Sequence, residues 1–224
     1  MSGSFTSEFF RVVRLFSGLF AFALGVVMTL RANVGYPPWD VFHQGLGMRM
    51  GITIGQANIL VATVIVSSTF LMKEKIGVGT ICNMLFIGVF MDIILSSGWV
   101  PLMRTFVSGV AMMVGGLFVV GMGTVLYMGS GYGAGPRDSL MVILTKRTGK
   151  PAGFCRSCIE STALITGWLL GGYAGVGTVI SAFGIGMAVQ AVFYVLRFDV
   201  NKIRQESCYE TFTRLGSFGG DARL

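Results

Sequence analysis

The sequence predicts an all-α membrane protein: six transmembrane helices arranged as a 3+3 inverted-topology repeat, each half with one short re-entrant or interfacial helix. Three observations predict it. The 224 residues are 53% hydrophobic and only 12% charged, with mean hydropathy +0.74, whereas a soluble domain is about 25% charged. Uncharged runs of membrane-spanning length recur along the chain. The chain also resembles itself when slid by 98 residues.

This apolar content excludes disorder, and four scattered cysteines in a chain this long do not make a secreted disulfide scaffold. The net charge of +7 does not signal nucleic-acid binding. A nucleic-acid surface needs a dense basic patch, and here the basic residues are spread between long apolar runs.

A bilayer core of ~30 Å takes ~20 residues of helix. Uncharged runs cover 15–30, 50–72, 105–136 and 161–196. The last two are too long for one span, and Gly171-Gly172-Tyr173-Ala174-Gly175 breaks the fourth. The predicted spans are 11–31, 52–72, 76–97, 103–129, 152–171 and 175–196. Arg11 and Arg14 ahead of an apolar stretch and Ala21-Phe22-Ala23 also fit a signal peptide. The same element recurs mid-chain, which argues for a retained helix. With the N-terminus in the cytoplasm, fourteen basic residues fall on the inner side: Arg11, Arg14, Lys73, Lys75, Arg137, Lys146, Arg147, Lys150, Arg156, Arg197, Lys202, Arg204, Arg214 and Arg223. Three, Arg31, Arg49 and Arg104, fall on the outer side. The positive-inside rule then places both termini in the cytoplasm of a multi-pass plasma-membrane protein.

At the 98-residue offset, 19 of the 71 positions from 18 to 88 are identical without a gap. Gly18-Leu19-Phe20 matches Gly116-Leu117-Phe118, and Gly77-Val78-Gly79-Thr80 matches Gly175-Val176-Gly177-Thr178. Residues 1–98 and 99–196 thus form two three-span repeats, followed by a tail over 197–224 expected to hold a short cytoplasmic helix. Three spans is an odd number, so the second copy enters the membrane upside down, a recurrent plan in secondary transporters. The matched glycines equally suit a duplicated packing unit.

After the first span comes Gly35-Tyr36-Pro37-Pro38-Trp39-Asp40, and after the fourth Gly133-Ala134-Gly135-Pro136-Arg137-Asp138. Each reads as a glycine turn, a proline in the first helical turn and an acid where the helix dipole favours one. Each opens a helix of about 13 residues, some 20 Å long and too short to span. Asp40 and Asp138 either cap these helices or bind solute where the two elbows approach each other.

Polar groups inside the spans add candidates. Arg156 and Glu160 lie in the fifth span, as solute ligands or as an i,i+4 ion pair. Asp92 lies in the third, with Gln190 its repeat counterpart, and alternatively reaches the outer interface. A charge at the bilayer centre costs at least ~2.5 kcal/mol, so it faces protein or water. Asn83 and Ser181 are a matched polar pair, equally suited to interhelical hydrogen bonding. His43 stands alone, and Cys155-x-x-Cys158 suits packing better than redox chemistry. No catalytic triad, metal cluster, phosphate loop or dinucleotide fingerprint is visible, so neither an enzyme nor a cofactor is expected.

The ordered set Leu30-Arg31-Ala32-Asn33-Val34-Gly35, Pro38-Trp39-Asp40-Val41-Phe42-His43-Gln44-Gly45-Leu46, Gly135-Pro136-Arg137-Asp138-Ser139-Leu140-Met141, Arg156-Ser157-Cys158-Ile159-Glu160 and Gly167-Trp168-Leu169-Leu170-Gly171-Gly172 resembles the YczE/YyaS/YitT family of bacterial integral membrane proteins, in particular its YczE-like branch. The resemblance covers about 9–196 and implies a bacterial plasma-membrane protein, without an activity. Ser139 departs from the glycine common in similar sequences but leaves Pro-Arg-Asp intact. Two functions follow as expectations. One is a small-solute transporter with a central site from the elbows, Asp92, Arg156 and Glu160. The other is a non-transporting accessory or scaffold protein acting through a cytoplasmic partner. Besides the lipid bilayer and a solute, self-association into a homo-oligomer stays open.

Overall fold

The computed structural model describes residues 2–72, 74–199 and 203–220. Lys73, Lys202 and Arg223 of the basic tally lie outside them. Among the described residues the chain is entirely helical: α1 (Ser2–Arg31), α2 (Pro38–Met50), α3 (Ile54–Leu71), α4 (Val78–Ser97), α5 (Phe106–Met128), α6 (Pro136–Thr148), α7 (Ala152–Leu169), α8 (Val176–Val195) and α9 (Cys208–Gly220). The starts of α2, α3 and α4 recur 98 residues later as those of α6, α7 and α8.

Five helices, α1, α3, α4, α5 and α8, are long and apolar enough to cross a membrane, which makes this a multi-pass membrane protein. The predicted fifth span, α7, is 18 residues long but less apolar. The reason is compositional: Arg156, Ser157, Glu160, Ser161 and Thr162 dilute its apolar residues. α3, α4, α5 and α8 start one to three residues inside the predicted spans, α7 starts at the predicted residue, and the apolar part of α1 begins at Glu8.

The centre is the crossing of α1 and α5. Glycines let these backbones touch: a methyl on Gly25 would overlap Val120 and the Gly116 carbonyl, and one on Gly123 would overlap Phe22 and the Gly18 carbonyl. Leu19, Ala23, Val27, Val120 and Tyr127 fill the space around them. α4 packs beside α1, and α8 beside α5. The short helices cross over: α2 packs on α7, and α6 on α3. Each half thus holds the other's short helix.

Local chemistry sets the helix ends. Thr53 and Gln56 form a capping box at the start of α3, Thr53 Oγ1 accepting from Gln56 N and Gln56 Oε1 from Thr53 N. Ser207 and Glu210 do the same at the start of α9. Proline occupies the first turn of both α2 and α6, and both end on a left-handed glycine, Gly51 and Gly149, each at φ 67°.

Candidate functional site

The elbows are built alike. The backbone turns at Gly35 (φ 114°) and Gly133 (φ 125°), a region that favours glycine. Each elbow also grips the first turn of a helix from the other half. Gly177 N–H donates to Val34 O at 2.6 Å, and Gly79 N–H donates to Tyr132 O at 2.8 Å. These two bonds are counterparts at the 98-residue offset. A side chain on Gly35 would run into Gly175, and one on Gly133 into Gly77.

Beyond the turns the elbows meet. The Arg137 guanidinium of α6 stacks on the Trp39 ring of α2, 4.7 Å from its centroid, within cation–π range. Arg137 and Trp39 are themselves counterparts in the repeat. Arg137 Nη2 also donates to Asn58 Oδ1 of α3 at 3.2 Å. Arg137 forms no ion pair among the described residues. Asp40, Asp138 and Glu160 nevertheless all lie within electrostatic reach of it. Asp40 is buried, its Oδ1 3.3 Å from Nδ1 of the buried His43.

Between the elbows lies a cavity of about 40 Å³, lined by Asp40, Trp39, Arg137, Glu160, Ser181 and Phe22 among others. That is room for no more than a few water molecules. A carboxylate from α2, a guanidinium from α6 and a carboxylate from α7 therefore face one small space from three elements. Such a wall can hold a small polar solute through charge-assisted hydrogen bonds.

The other predicted residues fall in four places. Asp138 and Asn83 gather with Tyr127 around Gly135, where a Cβ would stand 3.2 Å from Tyr127 Oη, 3.6 Å from Asn83 Nδ2 and 3.7 Å from Asp138 Oδ2. Arg156 is half exposed and pairs with Glu160 at 3.0 Å, as the ion-pair alternative has it. Asp92 is remote from the elbows: it accepts from Thr53 Oγ1 at 2.5 Å and Gly55 N at 3.0 Å, capping α3 from α4. Gln190 is exposed on α8 and, like Asp92, is not among the residues lining the cavity. Asn58 and Phe22, which complete the surroundings, carried no signal in the sequence, since each reaches the site from an unremarkable apolar span.

The tail also has a place. Glu206 N–H donates to Gly131 O, and Gly133 N–H donates to Gln205 Oε1. Arg11 and Arg214 both bond Glu8 and Glu206, and Arg11 stacks on Tyr132. Residues 205–214 thus clasp the second elbow to the start of α1.

A family model described as a family of unknown function, DUF6198, matches residues 9–193. The "Uncharacterized membrane protein YczE" of Bacillus subtilis (strain 168) is 35% identical over 177 residues, 78% of this chain and 81% of that protein. The chain belongs to this family. An "Uncharacterized protein" of Haemophilus influenzae is 30% identical over 83% of this chain and 84% of its own length. The "Uncharacterized protein YyaS" of B. subtilis is 23% identical over 76% of this chain and 86% of its own. The YczE and YyaS resemblance read from the motifs is therefore shown, with the greater identity to YczE. No solved structure matches the chain.

Proposed function

We propose that the protein is a secondary transporter for a small polar solute, with six spans arranged as a 3+3 inverted-topology repeat and the solute site between the elbows. The observation that carries this reading is the meeting of the two elbows around a shared charged cavity. Elbows that only anchored the chain at a membrane surface would have no reason to touch.

Contacts between segments support the threading. Tyr36 N–H donates to Tyr173 O, Gln44 Oε1 accepts from Tyr173 N, and Met103 N–H donates to Arg31 O. All of these segments are outer in the proposed orientation. Cys208 N–H donates to Ile76 O, and the tail clasps residues 128–133. All of these are inner. Both groupings need α7 to cross the membrane, so α7 counts as the sixth span. The partial apolarity of α7 is what a helix lining a polar site would show. Both termini lie in the cytoplasm in this reading.

A scaffold acting through its tail is the other reading. Because the tail is bonded to the second elbow, truncating it disturbs the elbow in either case and does not separate the two. Solute flux does. A metabolite-wide comparison of uptake and export in a deletion strain identifies the solute, and reconstituted vesicles then test the site. Asp40→Asn and Glu160→Gln, at the two carboxylates that line the cavity, are expected to abolish flux while the protein still inserts and stays monodisperse. Unchanged flux in both variants overturns the site.

A further inference from the structure

The two halves differ in how their last two spans pack. In the first, α3 packs along α4. A methyl on Gly55 would overlap the Gly88 carbonyl, and one on Gly88 would overlap the Gly55 carbonyl. Asp92 seals this contact by accepting from Thr53 and Gly55. Their counterparts at the 98-residue offset are Gly153 on α7, Gly186 on α8 and Gln190. The glycine pair is retained, yet it is unused. Nothing lies within 4 Å of a Cβ built at Gly153 or at Gly186, and α7 scarcely meets α8.

The parted surfaces are polar. Gly153, Arg156, Ser157, Ser161 and Gln190 are all exposed. An arginine turned to lipid is costly, so this face meets water. In the proposed orientation the parted ends are cytoplasmic, while the sealed Gly55–Gly88 contact is near the outer face.

We infer that the structure is an inward-open state, and that the protein exchanges with an outward-open state in which α7 docks on α8 through Gly153 and Gly186 while α3 parts from α4. The inference rests on the inverted repeat proposed above. In such repeats one half takes the conformation of the other by rigid-body rocking around a fixed site. In the second state Gln190 Oε1 accepts from Gly153 N–H, as Asp92 does from Gly55. The occupant of the parted face is therefore α8 of the same chain, and the sealed α3–α4 contact is its template.

The counterparts also explain which state is observed. A carboxylate accepting from a helix N-terminus is a charge-assisted bond, about twice as strong as the amide's. Asp92 therefore biases the resting protein toward the sealed α3–α4 contact.

Disulfide trapping of the full chain tests this. It is done in lipid vesicles with an oxidant and no solute, after Cys82, Cys155, Cys158 and Cys208 are replaced by alanine. Thr63 Oγ1 lies 3.5 Å from Met84 Sδ, so Thr63→Cys with Met84→Cys traps the described state. Pro151→Cys with Gln190→Cys, the counterparts of Thr53 and Asp92, traps the other. The expected result is that each pair links within one chain, and that in the quadruple variant one link excludes the other. Gly186→Leu should remove the second link and spare the first. Asp92→Asn should raise the rate of the second about fivefold, the difference between a charged and a neutral hydrogen bond. The inference is overturned if the second pair never links, links only between two chains, or links as fast in molecules already joined at 63 and 84. Trapping reads motion without transport. Mutually exclusive links with no flux of any solute would sink the transport reading and leave the exchange standing.

Discussion

The first elbow and the second share a backbone and differ in what they present. Both turn on a glycine at strongly positive φ, both start a 13-residue helix with proline, and both end it on a left-handed glycine. At the position after the proline, one carries Trp39 and the other Arg137, and these two stack on each other. The first acid, Asp40, is buried against His43. The second, Asp138, lies beside Tyr127 and Asn83. The first elbow is tied to the 171–175 loop, the second to the tail. The turns are thus what the two elbows share, fixed by backbone-to-backbone contact, and the side chains they carry are what sets them apart.

Three perturbations bear on that comparison. The largest effect is expected where the elbows are alike. Gly35→Val and Gly133→Val each place a β-branched side chain at positive φ and against backbone, so both should yield no monodisperse protein on size exclusion. Loss in only one would show that the turns are not equivalent. An intermediate effect is expected where they differ. Trp39→Ala should cost about 3–5 kcal/mol of stability, read as a lowered Tm in detergent, together with flux. Arg137→Ala should lose flux with a smaller drop in Tm, and Arg137→Lys should not restore it, because a planar guanidinium makes the stack and the bond to Asn58. Equal drops in Tm for the two alanine variants would mean that the stack is only structural.

The smallest effect is expected at the clasp. The Glu210 carboxyl is held down at about 2 by the Ser207 N–H, then by Arg204 and the Ser207 hydroxyl. A depressed folded value stabilises above the unfolded value of ~4.3 and is lost as pH falls toward 2. Amide exchange at Ser207 should therefore be insensitive to this group from pH 5 to 8. Glu210→Gln should speed that exchange without moving the Tm. A large fall in Tm would mean that the Ser207–Glu210 cap, and not only the bonds from Gln205 and Glu206, holds the clasp on the second elbow.

Much of the helical pattern was legible, because lipid imposes apolar runs and the duplication repeats them. The elbow helices were legible from glycine, proline and acid in fixed order. α7 gave a weaker signal because Glu160 lines the cavity and the half-exposed Arg156 pairs with it. The stack of Arg137 on Trp39 was not legible: it joins residues 98 apart, and pattern reading sees only neighbours along one helix. Asp92 looked like a solute ligand because a buried acid has the same signature whether it meets a solute or a helix end. The tail clasp was hidden for the same reason, since Glu8 and Glu206 meet only after folding.

The paired bonds from Gly177 to Val34 and from Gly79 to Tyr132 carry a consequence for biogenesis. Each half of the chain leaves a strand of unmet backbone groups that only its sibling can satisfy. Synthesised alone, either half would sit in the bilayer with an open bend and an uncapped helix start. Severed between α4 and α5 and made together in one cell, the fragments have every reason to find each other. The peptide link between them is a tether that guarantees equal numbers, and the shape itself is held by the exchange.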